Sequence, residues 1–232
     1  MNNKYSNPRI SFDGKYWYIS VGIKSKKSEV ELTDESVGID LGIKDLATCS
    51  TGKIYKNINK TKRVKKFKKT LKRLQKQVSR KYEKSGEVNN RYEKSQNIVK
   101  LEKKIRLVHR KISNIRNNNL HQITNEIVKT KPSRIVMEDL NIKGMMKNRY
   151  LSKAIAEQNF YKFITYMKYK AEFNGIEFIQ VPRFYPSSKT CSKCGTIKKD
   201  LKLSDRIFKC ECGYIMDRDL NASINLSNYR AS

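Results

Sequence analysis

Nowhere does this chain hold an apolar run approaching the ~20 residues that a membrane-spanning helix needs. Its first stretch, MNNKYSNPRISF, lacks the apolar core of a secretory signal. Both absences point away from membrane and export and toward a reducing, cytoplasmic setting, where cysteines favour metal over disulfides. Histidine is nearly missing. His109 and His121 are the only two, and both read as surface or packing residues, which leaves little room for chemistry built on a histidine base. Negative charge is short as well: 22 Asp+Glu face 51 Lys+Arg, a formal net charge of +29. That excess is far beyond what solubility requires and points to a polyanionic partner. No segment pairs a basic face with a large apolar one, so nucleic acid is the expected polyanion and a membrane surface is not. With 232 residues, 38% of them hydrophobic, the chain can bury a core as one domain with appendages.

What is present is concentrated near the C-terminal end. Cys191 and Cys194 form a CxxC knuckle followed by Gly195, and Cys210 and Cys212 form a CxC knuckle followed by Gly213. Two tight thiol pairs offer the four ligands of a tetrahedral Zn²⁺ site, and each glycine lets the backbone turn behind its pair. A site closed by four thiolates has no open position and would be structural. The fifth cysteine, Cys49, has no partner and reads as a small core residue. Asp217 and Asp219 follow directly after the second knuckle.

Two further carboxylates stand at the ends of apolar strands. In VGIDLGIKDLATCSTGKIY, Val37–Ile39 deliver Asp40, Gly42 turns the chain, and further strands run near Leu46–Cys49 and up to Tyr55; Asp45, in the turn, is the weaker candidate. In RIVMEDL, the strand from Arg134 to Met137 presents Glu138 and Asp139. A carboxylate in an apolar β run is costly to bury unless its charge is compensated, and a divalent cation would do so. Three acidic positions converging on one sheet edge, Asp40, Glu138 and Asp217 or Asp219, could hold two Mg²⁺ ions for phosphodiester hydrolysis without a histidine.

Around these motifs the pattern is regular. Residues 10–23 alternate about the Asp13-Gly14 turn and predict a hairpin with Trp17 or its tyrosine neighbours buried. From Lys60 to about Asn119, Val64, Phe67, Leu71, Leu74 and Val78, then Ile98, Leu101, Ile105, Val108, Ile112 and Ile115, recur at helical spacing. Two long antiparallel helices are expected, reversing at Ser85-Gly86. Among the many cations on their outer faces, only Glu83, Glu87, Glu93 and Glu102 are acidic, which favours a phosphate-contacting surface over a merely solvated one. Lys65, Lys66, Lys69, Lys72, Arg73, Arg80, Lys104 and Arg110 are the candidate contacts. Arg149 joins them from a basic loop, Asn141–Tyr150. One helix is expected over Ile155–Phe173, with Ile155, Phe160, Phe163, Ile164 and Met167 inward, and a strand over Gly175–Val181.

Taken in order, GIDLGIKDLATCSTG, IVMEDL, SSKTCSKCG and CGYIMDRDLNASIN resemble the three catalytic motifs and zinc insertion of the RuvC-type nuclease domain in TnpB proteins, transposon-encoded relatives of the type V CRISPR effectors. The resemblance covers about Arg9 to Leu226. It implies an α/β, RNase H-like (RuvC) fold: a mixed sheet with flanking helices, a long basic helical hairpin inserted at 60–119 and a zinc ribbon at 187–214. It implies a metal-dependent DNA endonuclease guided by RNA, with Asp40 and Glu138 as the first two Mg²⁺ or Mn²⁺ ligands. The family pattern DRDxNA places the third at Asp219, leading into a helix with Asn221 as its cap; Asp217 shares a strand face with it and stays open. The structural zinc would sit on Cys191, Cys194, Cys210 and Cys212, although the second pair is shorter than the family's. Full members carry a β-barrel and helical recognition region before the first motif. Residues 1–35 hold only a hairpin as the remnant of that barrel, ahead of the nuclease domain at 36–232. The implied partners are a guide RNA, a DNA target and a separate transposase from the same element. The competing functions are an unguided RuvC nuclease and a truncated or decayed copy that only binds nucleic acid; retention of all three acids argues for the enzyme.

Overall fold

Asp13-Gly14 closes an antiparallel hairpin, β1 (Ser6–Phe12) and β2 (Trp17–Gly22), in the computed structural model, which describes residues 5–24, 30–85, 94–202 and 204–230. The Asp13 carboxylate accepts from the backbone N–H of Lys15 and Tyr16 at 3.0 and 2.9 Å, while Gly14 takes φ +94°, which costs glycine nothing. Ile10 pairs with Ile19 and Phe12 with Trp17, putting all four on one face. That face is not buried as expected: Trp17 is 72% exposed and Ile19 75%. A two-stranded ribbon has no second layer of its own to cover a face.

The hairpin belongs to one of two compact units, Met1–Lys26 with Ile58–Asn119; the other is Lys27–Asn57 with Leu120–Ser232. In the first unit the predicted seams form α1 (Lys62–Ser85) and α2, which begins at Gln96 and ends at Lys129. Val64, Leu74, Ile98 and Ile112 are buried, and the remaining seam residues are half-buried. Tyr82 donates to Glu102 at 2.7 Å and the Lys111 ammonium lies 5.7 Å over the Phe67 ring, so the helices run antiparallel. The reversal expected at Ser85-Gly86 falls at the border of 86–93, outside the described residues.

Helix α2 overruns the expected end near Asn119. Leu120, Ile123, Ile127 and Val128 extend its apolar spacing and are buried in the core of the second unit, which gives the extra turns their reason to stay helical. Strands β3 (Ser36–Leu41), β4 (Asp45–Cys49), β5 (Ile54–Lys56), β6 (Arg134–Glu138) and β7 (Glu177–Val181) form a sheet in the order β5-β4-β3-β6-β7. Neighbours are antiparallel from β5 to β3 and parallel from β3 to β7, so this is a mixed sheet.

Both faces of the central strands are covered, which is why VGI and RIVM read as unbroken apolar runs. On one face Ile39, Ile135 and Met137 pack with the end of α2 and with two helices, α4 (Ser152–Gln158) and α5 (Phe160–Phe173), which follow a short α3 (Ile142–Met146). The single helix expected from Ile155 to Phe173 is thus two. Asn159 breaks it at φ 56°, a left-handed conformation that asparagine tolerates. The buried Gln158 just before it donates to the carbonyls of Gly42 and Ile43. Asn141, expected in a loop, caps α3 by accepting from the Gly144 N–H.

On the other face Val136 and Val181 pack against Leu226 of α6 (Arg218–Ser227), which follows the small antiparallel hairpin β8 (Ile207–Lys209) and β9 (Ile215–Asp217). No helix among the described residues is long and apolar enough to cross a membrane.

Candidate active site and cysteine cluster

Strand register brings the first two acids together. Ile39 and Met137 are the last paired residues of parallel β3 and β6, so Asp40 and Glu138 emerge side by side one step beyond, on the face that α6 covers. Helix α6 can come this close because residue 38 is glycine. A Cβ there would lie 2.0 Å from the Ser223 carbonyl oxygen and 2.4 Å from the Ser227 nitrogen. At the other end of α6, Arg134 donates to the Ser227 carbonyl at 3.1 Å and to Ser36, whose hydroxyl donates to the same carbonyl. A cation at a helix C-terminus is stabilising.

At its N-terminus α6 begins directly after β9. The Asp217 carboxylate caps it, accepting from the N–H of Asp219 and Leu220 at 3.0 and 3.1 Å. The expected cap, Asn221, instead lies inside the helix and is fully buried. Asp217 is exposed while Asp219 is half-buried in the first turn. Burial pushes Asp40 well above the usual carboxylate range, and the charges of Glu138 and then Asp219 add to it, with Arg218 opposing and Asp217 a smaller contribution. Asp219 is raised by burial and by Asp217, against Arg206, Arg218 and Lys44. A desolvated carboxylate among like charges is what a divalent cation would relieve. The donor set, oxygen only, suits a hard cation such as Mg²⁺ or Mn²⁺. Asp45 and Asp139 are engaged elsewhere, with Lys56 at 3.3 Å and Arg183 at 2.9 Å.

The cysteines form a second site. Among the described residues, Cys191, Cys194, Cys210 and Cys212 are the group of metal-ligating side chains whose ligand atoms all lie within 4.8 Å of one another. Sγ of Cys191 and Cys212 are 3.8 Å apart, those of Cys194 and Cys210 3.5 Å. Tetrahedral coordination at metal–sulfur distances of about 2.3 Å puts sulfurs roughly 3.8 Å apart, so the set fits a four-thiolate ion. The knuckles repeat one another. Gly195 (φ 78°) donates to Cys191 and Gly213 (φ 82°) to Cys210, so the shorter CxC pair still turns tightly, between β8 and β9. Hydrogen bonding with Thr196, side chain first and then backbone, draws the Cys194 thiol down to about 6. Cys49 is buried in the sheet core, and desolvation lifts its thiol to about 12.

Several buried contacts beside these residues had no motif to announce them. The buried Ser187 donates its hydroxyl to the Glu138 carboxylate. Asn225 of α6 donates to the carbonyls of Ser187 and Thr190 at 2.7 and 2.6 Å. Asn221, one turn earlier, donates to Thr190 at 2.7 Å and accepts from the Ser192 N–H at 3.0 Å. The signal available in the sequence was only that NASIN sets two asparagines on one face of a helix.

Of the candidate nucleic-acid contacts, Lys65, Lys66, Lys69, Lys72, Arg73, Arg80 and Lys104 are exposed on α1 and α2, and Arg149 is exposed after α3. Arg110 differs. It is half-buried, paired with Asp13, donates to Tyr18 and stacks 5.1 Å over the Tyr16 ring.

Residues 18–149 match the IS605 OrfB family, described as "Probable transposase", and residues 160–226 match the "Cas12f1-like, TNB domain". The first match spans more than half of the chain. The chain belongs to the TnpB family. This TnpB-family chain is 32% identical over 210 residues to a Streptomyces pristinaespiralis protein named "Putative RNA-guided DNA endonuclease", covering 90% of this chain and 49% of that one. It is 32% identical over 237 residues to the similarly named InsQ of Escherichia coli K12, covering 95% and 55%. A third relative, TnpB-like protein L79 of Acanthamoeba polyphaga mimivirus, is 29% identical over 92% of this chain and 41% of its own length. The chain therefore spans about half the length of the curated relatives it matches. In fold it is similar to a cryo-EM CRISPR-Cas12f ternary complex, with TM-score 0.59 and 22% identity over 93% of this chain and 43% of that one. It is also similar to a Cas12f1-sgRNA-target DNA complex, with TM-score 0.53 and 21% identity over 94% and 55%.

Proposed function

We propose that this chain acts as an RNA-guided DNA endonuclease of the TnpB type. The observation that carries the reading is that Asp40 and Glu138 stand side by side at the ends of β3 and β6, with Asp219, on the first turn of α6, within electrostatic reach of Asp40. The strand order, three antiparallel strands continued by two parallel ones, suits an RNase H-like (RuvC) domain over 36–232. Residues 60–119 are read as its helical insertion, 187–214 as its zinc ribbon and 1–35 as a hairpin remnant of a barrel.

Asp40, Glu138 and Asp219 would hold Mg²⁺ or Mn²⁺; Asp219 is preferred to Asp217 because Asp217 is exposed and its Oδ1 is taken up as a helix cap. When bound, a pair of such ions supplies activation of a water for in-line attack and neutralises the leaving oxygen. The chain's own part is to hold three carboxylates on rigid elements, shield them partly from water, and set Lys44, Arg206 and Arg218 within electrostatic reach of Asp219, where cations draw in a phosphodiester. Cys191, Cys194, Cys210 and Cys212 would hold one structural Zn²⁺. The exposed cations of α1 and α2 and Arg149 are assigned to phosphate contacts with guide RNA and DNA; Arg110 is assigned instead to anchoring the hairpin. The names of the relatives and the Cas12f1-sgRNA-target DNA complex support guide RNA and target DNA as partners; a cytoplasmic setting and a separate transposase for DNA joining are part of the same proposal and rest on the sequence reading.

The test is cleavage of a matched and a mismatched DNA target in Mg²⁺, with RNA from the native locus and Asp40→Ala as control. Cutting confined to the matched target is expected. Equal cutting of both would make the chain an unguided nuclease, and no cutting would make it a nucleic-acid-binding copy.

A further inference from the structure

We propose that Ser187 is a positioning residue for the Glu138 carboxylate, and that Asn225 and Asn221 couple the cysteine cluster to that carboxylate through the segment Ser187–Ser192. The inference rests on the reading of Asp40, Glu138 and Asp219 as a divalent-cation site and deepens it.

Ser187 is 2% exposed, and its hydroxyl donates to Oε1 of Glu138. A glutamate at a strand end has three side-chain torsions, and the strand backbone does not by itself fix the plane of its carboxyl group. A donor on one oxygen fixes that plane and leaves the second oxygen free, which is how outer contacts orient metal-ligating carboxylates. Serine can do this only if its own backbone is held. The Ser187 N–H donates to Tyr185 at 2.9 Å, and the Ser187 carbonyl accepts from Asn225 at 2.7 Å.

Asn225 makes the link two-sided. It lies on α6, whose first turn carries Asp219, so one buried amide ties the helix of the third acid to the residue that orients the second. The same amide donates to the Thr190 carbonyl, beside Cys191. Asn221 shares that carbonyl and accepts from Ser192 in the first knuckle. Every polar atom of the Asn221 amide group is thus spent on the chain flanking Cys191. The second knuckle is joined to the same helix covalently, because only Gly213 and Tyr214 separate Cys212 from β9, which ends at the Asp217 cap. Holding the four thiols in place therefore holds Ser187. A buried amide and hydroxyl left without these partners would each carry a desolvation penalty, so the arrangement is favoured as a whole.

The experiment is Mn²⁺ titration of the full, zinc-loaded chain, with free Mn²⁺ read by electron paramagnetic resonance and zinc content measured alongside. Wild type, Ser187→Ala, Ser187→Thr and Asp40→Asn are compared. Ser187→Ala is expected to weaken Mn²⁺ binding about 10-fold at unchanged zinc content, the usual loss on removing such an outer contact, and Ser187→Thr, which keeps the hydroxyl, to restore most of it. Unchanged affinity in Ser187→Ala would overturn the proposal, as would an equal loss in the alanine and threonine variants. Mn²⁺ binding that is insensitive to Asp40→Asn would overturn the underlying site reading itself, a separate outcome.

Discussion

Gly38→Ala tests whether the closeness of α6 to β3 is what assembles the acidic edge. The added methyl would lie 2.0 Å from the Ser223 carbonyl oxygen, 2.4 Å from the Ser227 nitrogen and 2.9 Å from the Leu226 Cβ, whereas ordinary contact begins near 3.4 Å. Two of the three obstacles are backbone, so no rotamer change relieves them, and α6 must retreat by more than an ångström. Overpacking of this kind costs about 3 kcal/mol, toward the upper end of its range. For a domain of this size that corresponds to a fall of roughly 6–12 °C in Tm. Because Asp219 rides on α6, its displacement by about 1 Å should also lower divalent-metal-dependent cleavage on the order of 100-fold. Thermal unfolding by circular dichroism and single-turnover cleavage are the assays. Gly52→Ala is the control: at φ +84° with nothing within 4 Å of the new methyl, it should cost about 1–2 kcal/mol of backbone strain and spare the site. A Gly38→Ala protein that melts within about 1 °C of wild type would refute the packing argument.

Further predictions concern metals, pH, a buried amide and charge. Cys194→Ser should release the structural metal and unfold the β8–β9 hairpin; proteolysis between residues 195 and 215 that stayed as slow as in wild type would contradict this. Burial and neighbouring carboxylates raise Asp40 in the folded chain, so metal-free stability is fully present below the unfolded carboxylate value and is lost as pH rises through the folded one. Cation affinity should rise over the same window as the proton is displaced, and Asp40→Asn should flatten the metal-free Tm–pH profile; an unaltered profile would count against the assignment. Gln158→Ala removes the donor to the Gly42 carbonyl and one of two donors to the Ile43 carbonyl, which keeps Asn57 at 2.9 Å, and should cost about 1–3 kcal/mol in urea unfolding, with no effect expected if water replaces the amide. Changing Lys65, Lys66, Lys69 and Lys72 together to Gln should shallow the slope of log K against log salt for RNA binding by about 3–4; an unchanged slope would remove α1 from the interface.

Much of the fold was legible because it rests on short-range spacing. The period of Val64 to Val78 and of Ile98 to Ile115 demands helices whatever lies around them, and the apolar runs ending in Asp40 and Glu138 demand covered strands. The thiol pairs announce their ligand set at a distance of two or three residues. Where these patterns failed, a long-range contact had overridden a local one. Helix α2 runs on to Lys129 because its extra apolar residues find the sheet core. The helix expected over Ile155–Phe173 breaks at Asn159, where the neighbouring Gln158 is drawn to the turn after β3. Trp17 is exposed because aromatic alternation in a ribbon guarantees a shared face and not a cover for it.

Composition and spacing alone set the kinds of chemistry available: carboxylates with only two histidines beside them, four thiols in two knuckles, and a large excess of cations. Only the tertiary structure decided which of these groups meet. Strand register set Asp40 beside Glu138, the glycine at position 38 admitted α6, and the first turn of α6 brought Asp219 within electrostatic reach of Asp40. Ser187, Asn221 and Asn225 gain their roles the same way. Each is an ordinary polar residue until burial leaves it no water to bind, and the partners it then finds lie on elements that the chain brings together only when folded.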